Sequence, residues 1–526
     1  MSENFWNEPH VDWNKESIAA MEEGLKRARK SFGRYCPVMI DGKAMRESQE
    51  LIYSFDPAYQ GRVVGIAGVA DAAEVEFAAE VALRAFNSWK NRKIESIADI
   101  LQKVGNIFRE RKFELAPLIV FEVSKSWDEA VSEVEEAIDF IELYRESMIK
   151  FSEPVIHQPW IRSEKNYSYF IPRGITGVVK GWNFPVALPV ESIVASLAAG
   201  SPALFKPAEQ SPVCGMEVVR YFLDAGVPAG LIAYLPGFAD TGKAIVASPL
   251  VTQITFTGSR EVGMQIYETA AKNPSRFGPK RVDLELGGNN LMIVGESAIH
   301  DKVVKDIIIS RFGYNGQKCS ALQRLIIINQ QGNEAKWVER LDEAVLSLQI
   351  GHPEDPIYRY SALIDEAARD KYLAKMKASI KIASKSVVHA SGCDGNGYFV
   401  SPAIFTGIPH ESKLTQEEVF GPMLFVFNVK NIEDAVKLAN STDFALTAGI
   451  HTELGSEKDY FVKHCESGNK YVNRPITGSH PGRQPFGGHK FSGFGEKVGT
   501  PERLKFFMNS ESVSVNLESR GTVFEN

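Results

Sequence analysis

The alternation of hydrophobic and polar positions changes rhythm twice along the chain. Between residues 16 and 31, Ile18, Met21, Leu25 and Ala28 recur at helical spacing beside a basic face over 26–30, which predicts a solvated amphipathic helix. Short strands are expected at 38–40, before an Asp41-Gly42 turn, and at 63–66. Asp71 reads as the cap of a helix that carries Val75, Ala78, Val81, Phe86 and Trp89 roughly on one side. Further amphipathic helices follow to about residue 151. From 155 to 171 the pattern is extended and aromatic, with Trp160, Tyr167, Tyr169 and Phe170. Such a ribbon is either a domain bridge or oligomer contact, or an ordinary half-buried hairpin.

From Gly174 onward, short apolar runs alternate with helical ones. Strands are expected at 177–181, 202–206, 232–235, 253–257 and 281–285, with helices at 185–199, 216–225, 242–248 and 261–271. That alternation predicts a parallel sheet covered on both faces, with ligands beyond the carboxyl ends of its strands. Trp182, Asn183, Lys206, Glu209, Gly258, Ser259 and Glu285 lie at those ends. A second α/β region over 286–474 has expected strands at 325–329, 398–405 and 422–429 and helices at 333–348 and 365–382. The stretch 478–495, with Pro485-Phe486-Gly487-Gly488, reads as a long shaped loop. The tail over 506–515 returns to apolar alternation and is a candidate partner for the 155–171 ribbon.

With 526 residues, 44% hydrophobic and 24% charged, the expectation is a soluble globular chain of two or three domains. A net charge of -7 argues against general affinity for nucleic acid or anionic membrane, yet leaves a small anionic substrate open. The five cysteines are scattered without a CxxC pair, which fits a reducing compartment and no zinc site. Residues 1–13 resemble no secretory or transit signal, and no apolar run has membrane-spanning length, so a cytoplasmic location is expected.

The chemistry centres on Cys319, in the run Gly316-Gln317-Lys318-Cys319-Ser320-Ala321. It occupies a polar break between a helix-like segment (303–312) and a β-like one (325–328). A thiol on such a loop is reachable, and a nearby cation would favour its thiolate. Taken alone, a free cysteine is more often a small buried hydrophobe. There is no GxGxxG. Lys206 and Glu209 could each bond ribose hydroxyls, and Gly258-Ser259 opens a helix whose N–H groups suit a phosphate, although helix caps use the same residues.

Seven stretches, in order, resemble the aldehyde dehydrogenase superfamily over nearly the whole chain. They are Trp182-Asn183-Phe184-Pro185, Lys206-Pro207-Ala208-Glu209, Phe256-Thr257-Gly258-Ser259, Leu284-Glu285-Leu286-Gly287-Gly288, Gly316-Gln317-Lys318-Cys319, Glu418-Val419-Phe420-Gly421-Pro422 and Pro485-Phe486-Gly487-Gly488. The separation of 34 positions from Glu285 to Cys319 also looks like the family's. The resemblance implies two open α/β domains and a small β oligomerisation element. The NAD-binding domain would be 1–154 and 172–286, the catalytic domain 287–500, and the ribbon 155–171 and 501–526. It implies Cys319 as nucleophile, Asn183 as oxyanion donor and Glu285 as general base. NAD, with NADP possible, would meet Trp182, Lys206, Glu209, Gly242, Phe256, Gly258, Ser259, Glu418 and Phe420, and no metal is implied.

Within the superfamily the chain most resembles the 1-pyrroline-5-carboxylate dehydrogenase family. Gly316 to Ala321, Asn7-Glu8-Pro9, Ile138-Asp139-Phe140 and Ile476-Thr477-Gly478-Ser479 carry that likeness. It implies an aldehyde substrate bearing a carboxylate, L-glutamate γ-semialdehyde, and a homodimer or higher homo-oligomer. Ser320, Gly478 and Ser479 would grip the α-carboxylate, Phe184 and Phe486 would sandwich the aliphatic chain, and Glu136 would face the ammonium. Two departures stand out. Gly181 replaces a usual proline, and His480-Pro481-Gly482-Arg483 replaces small aliphatic residues. The histidine and arginine either alter which carboxylate is accepted or point to solvent.

Overall fold

The computed structural model of the chain describes residues 6–160, 163–329, 334–388 and 396–516. Its first large sheet is built on five parallel strands: β1 (Ile175–Val179), β2 (Ala203–Lys206), β3 (Ile232–Tyr234), β4 (Val251–Thr257) and β5 (Arg281–Glu285). Every residue of β1 to β4 is buried, the polar Thr252, Gln253, Thr255 and Thr257 of β4 included, so neither face of the sheet meets solvent there. Across the sheet the order is β5-β4-β1-β2-β3. The chain therefore winds outward in one direction from β1, then returns to wind the other way from β4. A crevice opens where the direction reverses, between the carboxyl ends of β1 and β4.

Three helices frame that crevice and the region beyond it. The long α1 (Trp127–Phe151) packs on α2 (Ala187–Ala198), and α3 (Arg260–Lys272) follows β4. The second sheet holds the parallel strands β6 (Asn290–Val294), β7 (Leu322–Ile328), β8 (Ala403–Thr406), β9 (Met423–Val429), β10 (Thr447–His451) and β11 (Asn469–Val472), in the order β8-β9-β7-β6-β10-β11. The chain crosses directly from β5 to β6 through residues 286–289. The carboxyl end of the first sheet thus meets the amino end of the second.

The aromatic ribbon forms a separate three-stranded sheet. Glu164–Pro172 pairs antiparallel with Met508–Asn516, and Val155–His157 lies on its other edge. The expected tail pairing is present, while residues 161–162 and 517–526 of the expected ribbon lie outside the described residues.

Element edges move where proline dictates. The helix expected at 216–225 begins earlier, as Pro212–Asp224, because a first-turn proline lacks only an N–H that would be unpaired anyway. The strand expected at 398–405 shortens to β8, since Pro402 has no N–H to give a ladder. The last strand starts at Met508, after a helical turn over Pro501–Phe507. The helix expected from Asn333 is described from Glu334, as Glu334–Leu346, and Asn333 lies outside the described residues. Among the described residues no helix is long and apolar enough to cross a membrane.

Candidate active site

Cys319 sits on the loop that enters β7, and an unusual backbone brings it there. Tyr314, Asn315 and Gly316 are successive left-handed residues, with φ of 49°, 51° and 68°. Left-handed conformation costs roughly 1–2 kcal/mol for each residue that carries a Cβ, so the turn must be held. Tyr314 Oη donates to Val123 O at 2.7 Å, the Asn315 amide donates to Ser361 O, and Gln317 Oε1 accepts from Ile364 N at 2.9 Å. Asn290, the first residue of β6, donates to Cys319 O at 2.7 Å and to Ala321 O at 2.9 Å. The partly exposed thiol faces a cavity of about 540 Å³.

Asn183 and Glu285 line the same cavity. Asn183 follows β1, and its amide donates to Gln317 O at 3.1 Å, which ties the two loops together. Glu285 ends β5. Burial, reinforced by Asp283, pushes its carboxyl up to about 8, against the pull of Arg503, Lys180 and Lys497. Its Oε2 is buried without a hydrogen-bond partner.

The cation expected to favour the thiolate is elsewhere. Lys318 Nζ lies 2.7 Å from Glu129 Oε1 on α1. Burial raises the Cys319 thiol, and Glu285 and Glu418 raise it further. Lys318 and Cys319 open a tight turn, closed by Ala321 N donating to Lys318 O at 2.9 Å, and the lysine side chain leaves it toward α1.

Ser320, Gly478, Ser479, Phe184, Phe486 and Glu136 also line this cavity. Ser479 Oγ shares a 2.6 Å hydrogen bond with Tyr471 Oη. One face of Phe184 is covered by Lys125, whose Nζ is 3.5 Å from the ring centre, so only the other face is open. Burial, with Glu133 second, pushes the Glu136 carboxyl up to about 8. Of the two readings of the divergent loop, the structure puts His480 at the cavity wall, with Arg483 at its exposed rim.

The candidate cofactor residues form a second group, along the crevice. Lys206 ends β2 with its Nζ 3.7 Å from Glu209 Oε2, and a Cβ at Gly242 would touch the Lys206 stem at 3.6 Å. Ser259 caps α3 after Gly258, accepting from Val262 N, and the other first-turn N–H groups of a helix suit an anion. Phe256 is 4% exposed, and its ring lies beneath Gly258, so it contributes packing there. From the second sheet, Glu418 accepts from Gly288 N at 2.8 Å, and Phe420 meets the Trp182 ring edge-on at 5.6 Å. A paired lysine and carboxylate, a helix amino end and a flat aromatic edge fit a dinucleotide. Among the described residues no group of three or more His, Cys, Asp or Glu could hold a metal ion.

The aldehyde dehydrogenase family model matches residues 44–513. The chain belongs to the aldehyde dehydrogenase family. It is 34% identical over 519 residues to a 1-pyrroline-5-carboxylate dehydrogenase of Geobacillus sp. (strain WCH70), covering 98% of this chain and 99% of the relative. A crystal structure of 1-pyrroline-5-carboxylate dehydrogenase from Thermus with bound NAD superposes with a TM-score of 0.93 at 35% identity, covering 98% of this chain and all of that one. Proline utilization A from Bdellovibrio bacteriovorus gives a TM-score of 0.95 at 34% identity, covering 99% of this chain and 54% of that protein.

Sequence reading missed several residues of this aldehyde dehydrogenase site. Lys180 lines the cavity and donates to Thr257 Oγ1 at 3.2 Å, joining the ends of β1 and β4. Lys125 is fully buried against Glu133 at 2.7 Å, and Glu133 accepts from Val186 N and Ala187 N at the start of α2. Asn290 had a signal, standing in the Gly287-Gly288-Asn289-Asn290 run just past Glu285. Lys125 had none, because a lysine between two serines reads as loop.

Proposed function

We propose that this aldehyde dehydrogenase oxidises L-glutamate γ-semialdehyde, formed from 1-pyrroline-5-carboxylate, to L-glutamate with NAD, a step of proline catabolism. One observation carries the reading: Cys319, Asn183 and Glu285 share a single cavity with Ser320, Gly478 and Ser479. The names of the similar proteins support it, as does the NAD bound in the Thermus structure.

In this reading the Cys319 thiolate adds to the aldehyde carbon, and the Asn183 amide and the Cys319 N–H receive the oxyanion. NAD, when bound, supplies the hydride acceptor that turns the thiohemiacetal into a thioester. Glu285 takes a proton from the water that hydrolyses the thioester, a task suited to a carboxyl raised toward neutrality. Ser320 and the Gly478-Ser479 backbone form a neutral nest for the α-carboxylate, and Glu136 faces the ammonium. The Glu209 carboxylate would repel a 2′-phosphate, which favours NAD over NADP.

We infer the same domain division as the resemblance implies: NAD binding by 1–154 and 172–286, catalysis by 287–500, and a ribbon of 155–171 and 501–526. Val155, Ile156 and Trp160 are exposed on that ribbon, and an apolar edge of this kind suits pairing with a second copy. We propose that the chain works as a homo-oligomer in the cytoplasm, whose reducing conditions fit its scattered cysteines. The test is NADH formation from glutamate semialdehyde, succinic semialdehyde and unsubstituted aliphatic aldehydes. Preference for the first, lost in Cys319→Ala, is expected; preference for unsubstituted aldehydes sinks the carboxylate nest.

A further inference from the structure

Helix α1 presents two rows of carboxylates. Glu129, Glu133 and Glu136 serve the site or its support. Asp128, Glu135 and Asp139 instead hold the chain's own amino-terminal segment across the cavity, of which Asn7, Glu8, Pro9 and His10 form a wall. Asp139 accepts from Glu8 N at 2.5 Å, Glu135 from Val11 N at 3.0 Å, and Asp128 from Trp13 Nε1 at 2.5 Å. Asn7 uses its whole amide. Its Nδ2 donates to Asp139 Oδ2 at 2.8 Å and to Pro481 O at 2.9 Å, and its Oδ1 accepts from Arg483 Nε.

Asn7 therefore joins α1 to the divergent loop His480-Pro481-Gly482-Arg483, directly beyond Gly478 and Ser479. Gly482 N donates to Gly499 O at 2.9 Å, so the loop is fixed from its other side as well. The His10 and His480 rings stand 5.9 Å apart at the mouth. An amide is the one side chain that can donate to a carboxylate and a carbonyl while accepting from a guanidinium in this position.

We propose that Asn7 is a specificity-determining positioning residue: by fastening residues 7–11 to the 480–483 loop, it fixes the end of the cavity that receives the substrate's carboxylate and ammonium. This rests on the substrate reading above. An unsubstituted aldehyde does not reach that end, so Asn7 governs the choice between substrates more than the chemistry at Cys319.

The experiment compares kcat/KM for glutamate semialdehyde and for propanal in the wild type, Asn7→Ala and Asn7→Asp. Asn7→Asp is the sharper variant, since it sets a second carboxylate against Asp139. The expected result is a fall of about tenfold in the semialdehyde-to-propanal ratio, the size of one hydrogen bond to a charged group, carried by KM. A wild type that prefers the semialdehyde, with a ratio unchanged within about twofold in Asn7→Asp, or a change carried by kcat alone, overturns the proposal and leaves the substrate reading intact. A wild type that prefers propanal overturns the substrate reading and this proposal with it.

Discussion

Lys318 Nζ lies 2.7 Å from Glu129 Oε1, so the cation next to Cys319 in sequence is committed to α1. The thiol is left beside two carboxylates, Glu285 and Glu418, in a buried setting that raises it. Alkylation of Cys319 by iodoacetamide in the enzyme without cofactor is then expected to be slow at neutral pH and still climbing well above the usual thiol range. Cys36, Cys214 and Cys465 are buried, so peptide mass spectrometry should find Cys319 modified before them. Glu285→Gln removes one cause of the shift and moves the profile to lower pH. Lys318→Ala should leave it in place; an upward shift would mean that the ammonium does reach the thiol.

Glu285 imposes a pH dependence of the same sense. As a base it must be ionised, and its carboxyl is pushed up to about 8 by burial and then by Asp283. kcat should therefore rise with pH to a plateau above that value. Lys497 opposes the shift from a position where its Nζ donates to Gly468 O at 2.8 Å and to Gly487 O. Lys497→Met is expected to move the rising limb to higher pH, and an unmoved limb would remove Lys497 from the account. Stability runs the other way. A carboxyl raised on folding contributes stability that is fully present below the ordinary carboxylate range and is lost as pH rises through about 8. Glu285→Gln should raise Tm more on the alkaline side of that value than at acid pH.

Much of the layout was legible because buried parallel strands and their polar ends leave a plain mark. Lys206, Ser259 and Glu285 were all placed at strand or helix ends from pattern alone. The electrostatics were not legible. Whether Lys318 serves Cys319 or Glu129 depends on which way a loop residue faces, and no periodicity exists in a loop to tell. Asn7 and Asp139 are likewise 132 positions apart and meet only after α1 has docked. Glu133 stands among several acids on α1, and its pairing with Lys125, eight positions earlier and just ahead of the helix cap, shows only once the turn before α1 is folded.

Gly287 and Gly288 give neighbouring substitutions with separable effects. A Cβ at Gly287 would run into the Glu418 carboxylate, whereas one at Gly288 would lie 2.5 Å from Cys319 O. Gly287→Ala should therefore displace the candidate NAD-binding residue Glu418 and raise KM for NAD by about tenfold. Gly288→Ala should disturb the nucleophile loop and lower kcat even at saturating NAD. Initial-rate kinetics with NAD varied separates the two, and identical kinetic signatures would contradict the geometry.

The Lys125–Glu133 pair tests how far the site depends on a charge it never shows to substrate. Both side chains are 0% exposed and 2.7 Å apart. Lys125 covers one face of Phe184, while Glu133 accepts the first N–H groups of α2 just after Asn183. Lys125→Met leaves a buried carboxylate without its cation, a change that costs roughly 3–5 kcal/mol, and it should lower Tm accordingly. Adding Glu133→Gln removes that unpaired charge and should recover much of the loss. It should not recover kcat, because a neutral amide holds Val186 N and Ala187 N more weakly than a carboxylate does, and the turn bearing Asn183 loosens with them. Calorimetry and steady-state kinetics on the double variant decide the matter: stability and kcat returning together would mean that the pair supports only the fold.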